Sequence, residues 1–311
     1  MIRIEHLVKA FGAKRAVDDI SFSVERGEVL GFLGPNGAGK STTMRMITGF
    51  MPPTSGKISI GAYDVAESPL EAKRLIGYLP ENAASYPDMT VQGFLNFAAE
   101  LRGLQGAARR KAVHRVVELC FLDSVLQQSI DTLSKGYKHR TCLAQALIHD
   151  PQVLIMDEPT DGLDPNQKHE VRNLIRELGA NKAIVFSTHI LEEVDAACTR
   201  AIIIDRGKIV ANGTPEELRG MSELAGAVTL QAQGASLEKL SGLGKVEKLS
   251  GAFRIYPADK SKSRALARAV IELVAREGWK VERMYNEAGQ LDEVFRRITL
   301  PDTVKRDTVQ K

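Results

Sequence analysis

Residues 34–41 read Gly-Pro-Asn-Gly-Ala-Gly-Lys-Ser, and they are the strongest indication of fold class in the chain. It fits the pattern G-x-x-x-x-G-K-[ST], in which glycines let successive backbone N–H groups point at phosphate oxygens. A predicted strand from Glu28 to Leu33 precedes it, and the apolar-periodic Met44 and Ile47 follow it. Strand, loop and helix thus occur in the order that a phosphate loop requires. A glycine-rich turn that matched the pattern by chance would not be expected to lie between a strand and a helix in this order.

Two side chains of this loop have predicted roles. Lys40 is long enough to reach the β and γ phosphates of a nucleotide, and the Ser41 hydroxyl is a ligand for Mg²⁺. The metal needs a further carboxylate, and residues 154–158 read Leu-Ile-Met-Asp-Glu, so that two acids follow a buried strand directly. We predict that Asp157 holds Mg²⁺ through water and that Glu158 polarises the attacking water as general base.

His189 follows the apolar run Ala183 to Ser187 in a similar way. A histidine there is able to orient the attacking water or contact the γ phosphate. Taken singly, acids at a strand end are usually only solvated, and a lone histidine is usually structural. Because they occur together with a phosphate loop, we assign Glu158 and His189 as catalytic residues.

The composition is that of an ordinary folded protein, with 43% hydrophobic and 26% charged residues. The 311 residues suffice for about two domains. The net charge of +3 is too small to indicate nucleic acid as a partner. Three scattered cysteines, Cys120, Cys142 and Cys198, form no C-x-x-C pair, so they predict reduced, packed thiols and neither a disulfide framework nor a zinc site.

No apolar run approaches the roughly 18 residues that cross a bilayer. The N-terminus alternates like a strand and lacks the basic-then-apolar layout of a signal peptide. We therefore expect a cytoplasmic protein that sits peripherally at the inner face of the cell membrane, against a membrane protein.

Short apolar runs bounded by glycine or aspartate alternate with helical patterns through the first two thirds of the chain. Runs that are apolar throughout predict strands buried on both faces, and therefore an α/β fold with a largely parallel sheet covered by helices. These runs are residues 29–33, 153–156, 183–187 and 201–205.

Residues 82–130 carry only helical patterns, which predicts a helical insertion into the α/β core. Thr90 is a candidate N-cap for its first helix. The predicted apolar face of that helix consists of Val91, Phe94, Leu95, Ala98 and Leu101. A second stripe at helical spacing consists of Val113, Val116, Val117 and Cys120. We expect most of this second stripe to be core, and only a minority of the insertion to contact a partner.

The domain boundary is predicted near Gly220, after a turn-rich passage, so that residues 1–220 and 221–311 form separate domains. The second domain reads strand, short helix, strand, strand, long helix, strand, and a closing helix through Leu291, Val294 and Ile298. This order is typical of a small ferredoxin-like α+β domain, which extends a dimer interface or binds a regulator. Lys305-Arg306-Asp307 is expected to be a frayed charged tail.

Leu133-Ser134-Lys135-Gly136-Tyr137 lies between the two nucleotide motifs. With it, about residues 1–220 resemble the nucleotide-binding subunit of an ABC transporter, a P-loop NTPase that uses ATP and Mg²⁺. The resemblance implies ATP binding by Phe11, Gly34, Pro35, Asn36, Gly37, Ala38, Gly39, Lys40, Ser41 and Thr42. Phe11 matches the aromatic residue that stacks on adenine, which is normally a tyrosine. The implied metal site consists of Ser41, Asp157 and Glu81.

The resemblance also implies that the protein works as a dimer. Ser134, Lys135, Gly136 and Tyr137 match the family signature, which acts at a helix start on the γ phosphate bound by the partner. Asp161 and Asp164 match the loop that crosses the dimer interface. The chain carries one cassette, so it implies a homodimer or a heterodimer with a related subunit. Separate integral membrane permease subunits are expected to dock on the helical insertion.

Within the family, the drug-export and gliding-motility-type branch is the nearest resemblance. It rests on Gly77-Tyr78-Leu79-Pro80-Glu81, on the altered signature and on residues 291–295 near the C-terminus. Most cassettes have glutamine at the position of Glu81. We hypothesise that Glu81 is a metal-side sensor, because a carboxylate is a harder Mg²⁺ ligand than an amide. The cargo does not follow from the branch.

The signature departs from the usual Leu-Ser-Gly-Gly-Gln, because Lys135 replaces a glycine and Tyr137 a glutamine. Lys135 either adds charge near the partner's γ phosphate or faces solvent, and we favour solvent. Two other functions remain alternatives to an ATP-hydrolysing transporter subunit. One is an ABC-type ATPase that acts on nucleic acid or ribosomes, although no second cassette, long coiled coil or basic stripe supports it. The other is a nucleotide sensor without turnover.

Overall fold

A computed structural model describes residues 1–82, 85–259 and 263–299. The chain divides into two compact units, Met1–Thr214 and Pro215–Lys311. The division predicted from the sequence lies a few residues later, near Gly220. The predicted charged tail at residues 305–307 lies outside the described residues.

The first unit alternates strands and helices. Its elements are β1 (Ile2–Phe11), β2 (Lys14–Val24), β3 (Val29–Leu33), α1 (Lys40–Ile47), β4 (Ser55–Ile60), β5 (Tyr63–Asp64), α2 (Pro69–Leu75), β6 (Ile76–Leu79), α3 (Val91–Leu101), α4 (Gly106–Leu119), α5 (Lys135–Leu147), β7 (Val153–Asp157), α6 (Pro165–Gly179), β8 (Ala183–Thr188), α7 (Leu191–Ala197), β9 (Arg200–Asp205) and β10 (Lys208–Gly213).

The central sheet of this unit has the strand order β10-β9-β3-β8-β7-β6. Strands β9, β3, β8, β7 and β6 are parallel, and β10 pairs antiparallel with β9. Every residue of β3, β7 and β8 is buried, as their continuous apolar runs predict. A second, antiparallel sheet has the order β2-β1-β4-β5. The α/β fold with a parallel sheet is therefore confirmed.

The helical insertion contains α3 and α4. The Thr90 hydroxyl caps α3 by accepting a hydrogen bond of 3.0 Å from the Gly93 N–H. The second apolar stripe is core as predicted, since Val113, Val116 and Val117 are buried in α4. The prediction for Leu101 was wrong, because its side chain is 71% exposed. It occupies the last turn of α3, where the helix has passed beyond the residues that cover its apolar face.

The second unit contains α8 (Pro215–Gly220), β11 (Val228–Gln233), α9 (Leu237–Ser241), β12 (Lys245–Leu249), β13 (Ala252–Tyr256), α10 (Ser263–Glu277), β14 (Lys280–Asn286) and α11 (Leu291–Ile298). Its antiparallel sheet has the order β12-β13-β11-β14, the ferredoxin-like arrangement that the sequence predicts. Leu230, Ile255 and Val270 lie in its core. The sheet and α10 therefore form a separate hydrophobic core.

Within the described residues, no helix is both long and apolar enough to cross a membrane. Cys120 and Cys142 are buried, Cys198 is half-buried, and all three are free thiols. Burial raises the pKa of Cys120 and of Cys142 to about 12, which makes both thiols poor nucleophiles at neutral pH.

Candidate active site

The predicted catalytic and metal-binding residues follow four neighbouring strands. Strands β3, β8, β7 and β6 lie side by side, and register pairs Leu33 with Thr188 and Asp157 with Ser187. Ligands of open parallel sheets bind at the carboxyl ends of the strands, where these loops meet. The phosphate loop, His189, Glu158 and Glu81 therefore come from one edge of the sheet.

The phosphate loop requires glycine at two positions in particular. Gly37 and Gly39 have φ angles of 79° and 112°, in the left-handed region that other residues rarely adopt. A Cβ atom on Gly39 would also lie 2.5 Å from the Ala16 carbonyl oxygen. The backbone is thus curled into a loop whose shape side chains at these positions would prevent.

Lys40 begins α1 and is buried. Its ammonium donates hydrogen bonds to the carbonyl oxygens of Gly34, at 2.7 Å, and Pro35, at 3.2 Å. Burial lowers the pKa of Lys40, whereas the nearby carboxylates of Glu158, Asp157 and Glu81 oppose that shift. The side chain is a cationic group held inside the loop by the loop's own carbonyls.

Asp157 is the buried acid at the end of β7. Its Oδ1 accepts hydrogen bonds from the Ser41 hydroxyl, at 3.1 Å, and the Ser187 hydroxyl, at 2.5 Å. Its Oδ2 is buried without a hydrogen-bond partner among the described residues. An unpartnered buried carboxylate oxygen beside a serine hydroxyl is a hard-oxygen donor set that fits Mg²⁺. When bound there, the ion would offset the negative charge of nucleotide phosphates.

Glu158 has a backbone conformation that is unusual for a residue with a side chain, with φ at 52°. The structure maintains it through two hydrogen bonds from the Glu158 N–H, to the Ser187 carbonyl at 3.2 Å and to the Ser187 hydroxyl at 3.0 Å. Glu158 Oε2 lies 3.0 Å from His189 Nδ1. A carboxylate with a histidine partner is therefore fixed at the sheet edge, although a conformation of this kind costs about 1–3 kcal/mol.

Glu81 lies just beyond β6, and its side chain is exposed. Its charge acts on Lys40, so it belongs to the same electrostatic site as Asp157 and Glu158. The structure thus brings the predicted sensor close enough to influence the phosphate loop. Phe11, at the end of β1, has a 50% exposed ring with the Lys9 ammonium 5.2 Å from its centroid.

The signature residues begin α5. The Ser134 hydroxyl caps this helix by accepting a hydrogen bond from the Tyr137 N–H, at 3.4 Å. The Asp164 carboxylate caps α6 in the same way, by accepting a hydrogen bond of 2.9 Å from the Gln167 N–H. The Lys135 side chain is 69% exposed, as expected, yet its ammonium makes an ion pair of 2.8 Å with Asp161. The start of α5, which carries the signature, and the start of α6, which follows the loop at residues 161–164, are therefore each capped by a side chain of the same chain.

The sequence profile of the ABC transporter family matches residues 17–161. The linearmycin resistance ATP-binding protein of Bacillus subtilis is 39% identical over 232 residues, which are 74% of each chain. The chain belongs to the ABC transporter family of ATP-binding proteins. The Nod factor export ATP-binding protein I of Ralstonia nicotianae is 33% identical over 305 residues, 96% of this chain and 94% of that protein.

A solved ATP-binding subunit of an ABC transporter superposes with a TM-score of 0.66 at 32% identity, covering 78% of this chain and 98% of that one. This ABC protein is therefore an ATP-binding subunit of a transporter, and it is an ATPase. The predicted family and enzyme class are confirmed.

Two residues that support the ABC site were not predicted. The Ser187 hydroxyl donates a hydrogen bond to the Asp157 carboxylate and accepts one from the Glu158 N–H. Glu193 is buried in α7, where its carboxylate accepts hydrogen bonds from the hydroxyls of Thr160 and Thr188. The signal for Ser187 was its place as a polar residue at the end of an otherwise apolar, doubly buried strand. Glu193 gave no such signal, because it lies in an acid-rich stretch that is typical of a solvated helix.

Phe11→Ala should weaken ATP binding by about fivefold, because a stacked ring contributes about 1 kcal/mol beyond buried area. Phe11→Tyr should bind as the wild type does. Equilibrium titration with a fluorescent ATP analogue measures the change. Phe50→Ala is the matched control, since Phe50 is exposed but lies outside the phosphate loop. Equal affinities for Phe11→Ala and the wild type would remove Phe11 from the nucleotide site.

Proposed function

We propose that this chain hydrolyses ATP as a dimer at the inner face of the membrane and drives separate membrane-spanning subunits of an export complex. Lys40 and the phosphate loop bind the triphosphate, Ser41, Asp157 and Glu81 hold Mg²⁺, and Glu158 with His189 activates water. The signature and the loop at residues 161–164 act on the site of the second copy. Export as the direction is supported by the Nod factor export protein among the relatives.

The proposal of a membrane partner rests on a groove in the surface of the first unit. Two adjoining cavities of about 810 and 690 Å³ share Phe50, Tyr78, Leu101 and Arg102 in their walls. The side chains of Phe50, Leu101 and Leu70 along this groove are 73%, 71% and 68% exposed. Large apolar side chains grouped on a surface mark an interaction site, and single ones do not.

The charge of the groove suggests what docks there. Its walls also contain Arg45, Lys73 and Arg74, and no Asp or Glu lines either cavity among the described residues. A short amphipathic segment of a membrane subunit, with apolar anchors and at least one carboxylate, complements this surface. Tyr78 connects the groove to the nucleotide site, because it lies in β6, two residues before Pro80 and three before Glu81.

Phe50→Asp and Leu101→Asp should each reduce recovery of the membrane subunits by at least about tenfold, since central apolar anchors dominate interface free energy. The tagged protein is purified from detergent-solubilised membranes, and co-purifying proteins are identified by mass spectrometry. Ile271→Asp, which changes an exposed apolar residue of α10, is the control and should retain the partner.

ATPase activity without membranes should be unchanged in Phe50→Asp, because the groove contributes no group to the phosphate loop. A membrane partner that is recovered equally with all three variants would reject the groove as the docking site. Absence of any membrane partner from the wild-type sample would reject the proposed complex with membrane-spanning subunits.

A further inference from the structure

An ion pair joins the signature to the loop that follows the general base. Lys135 Nζ lies 2.8 Å from Asp161 Oδ2, and both side chains are more than half exposed. The hydrogen bond from Lys135 is the largest of the causes that lower the pKa of the Asp161 carboxyl. The usual glycine at position 135 of the signature has no side chain with which to make this contact.

Gly162 provides the space for the lysine side chain. A Cβ atom at Gly162 would lie 2.5 Å from both Cδ and Nζ of Lys135, so the lysine stem passes directly over this residue. Gly162 also has a φ angle of 68°, which favours glycine. The stem and the ammonium of Lys135 therefore both contact the loop, one at Gly162 and the other at Asp161.

The loop connects this contact to Glu158. The Asp161 N–H donates a hydrogen bond of 3.1 Å to the Glu158 carbonyl oxygen, which closes a turn over residues 158–161. Glu158 itself is in the left-handed conformation that Ser187 holds from the other side. A displacement of Asp161 therefore acts on the backbone of the residue that carries the base.

Two further contacts join α5 to α6, but both lie beyond the loop. Arg140 Nη2 makes an ion pair of 2.8 Å with Glu170, and a Cβ atom on Gly136 would lie 2.5 Å from the side-chain oxygen of Gln167. These contacts fix the two helices to each other. Lys135 differs from them because it reaches residues 161 and 162 of the loop itself.

His139, one turn along α5 from Lys135, does not supply the positive charge. Burial lowers the pKa of His139 to about 4, so its ring is neutral at neutral pH. Both ring nitrogens are buried without a hydrogen-bond partner among the described residues. Lys135 thus supplies positive charge to Asp161 from α5, and His189 makes a smaller contribution from the loop after β8.

We propose that Lys135 is a positioning residue for ATP hydrolysis, which fixes the loop at residues 158–164 through Asp161 and so orients Glu158. The inference rests on the proposed role of Glu158 as general base. It differs from a direct contact between Lys135 and the partner's γ phosphate, because the lysine then acts on catalysis and not on nucleotide affinity.

Steady-state ATPase measurements separate these two roles. Lys135→Ala should lower kcat about twofold to fivefold and leave KM for ATP within about 1.5-fold, because an exposed ion pair has a modest effect. Asp161→Asn should lower kcat similarly, and the double variant should be no worse than either single one. Lys135→Arg should restore kcat. A raised KM with unchanged kcat in Lys135→Ala, or fully additive losses, would overturn the proposal.

Hydrogen exchange of the nucleotide-free protein tests the contact without any hydrolysis. Amides of residues 159–163 should exchange faster in Lys135→Ala than in the wild type, and at the wild-type rate in Lys135→Arg. Lys138→Ala is the control, since Lys138 lies on the same helix and donates a hydrogen bond to the Asp131 carbonyl. Unchanged exchange in Lys135→Ala contradicts the inference, whereas a wild-type protein without ATPase activity contradicts the proposed function instead.

Discussion

Glu158→Gln should abolish ATP turnover while ATP stays bound. The amide has the size of the carboxylate but cannot accept a proton from water, and loss of a general base lowers rates by about 10²–10⁴-fold. The geometry of the site should persist, because Ser187 holds the Glu158 backbone and not its carboxylate. We expect phosphate release at background level, together with an ATP-dependent dimer in size-exclusion chromatography.

Glu118→Gln is a matched control for this variant. Glu118 lies 3.3 Å from His114 Nδ1 on the exposed side of α4, so it is also a glutamate paired with a histidine. Its substitution should leave turnover unchanged. Retained hydrolysis in Glu158→Gln would refute the assignment of the base. Wild-type protein that binds ATP and dimerises without releasing phosphate would instead support the nucleotide-sensor alternative.

The parallel sheet was predictable because its strands are buried on both faces, which leaves continuous apolar runs in the sequence. The site was predictable to the extent that its residues directly follow such runs. Asp157 and Glu158 end one run, and His189 follows another. The carboxyl ends of neighbouring parallel strands meet at one edge, so position along the chain was enough to group these side chains.

Contacts between distant elements were not predictable in the same way. The partner of Lys135 is 26 residues further along the chain, and the contact depends on how α5 packs beside the loop after β7. Leu101 fits the apolar period of α3 but lies in an open groove, because periodicity gives the face of a helix and not the point at which its cover ends.

Lys40→Met should weaken ATP binding by about 100-fold or more. The Lys40 ammonium is the cation that the phosphate loop holds, and hydrogen bonds to charged groups contribute about 1.5–3 kcal/mol each. Without it, the carboxylates of Asp157 and Glu158 would face the triphosphate with less compensating charge. Methionine retains much of the apolar stem, so the variant should fold.

Thermal unfolding with and without Mg²⁺-ATP measures this effect. A ligand at 100 times its Kd stabilises a protein by about 2.7 kcal/mol, and at the same ATP concentration this stabilisation should fall to about 0.4 kcal/mol or less in Lys40→Met. Nucleotide-free Lys40→Met should unfold near the wild-type temperature, because the substitution also removes the cost of burying a charge. Lys111→Met, at an exposed position of α4, should keep the full ATP-dependent shift. An undiminished shift in Lys40→Met would show that ATP binds without this lysine and would remove residues 34–41 as the phosphate site.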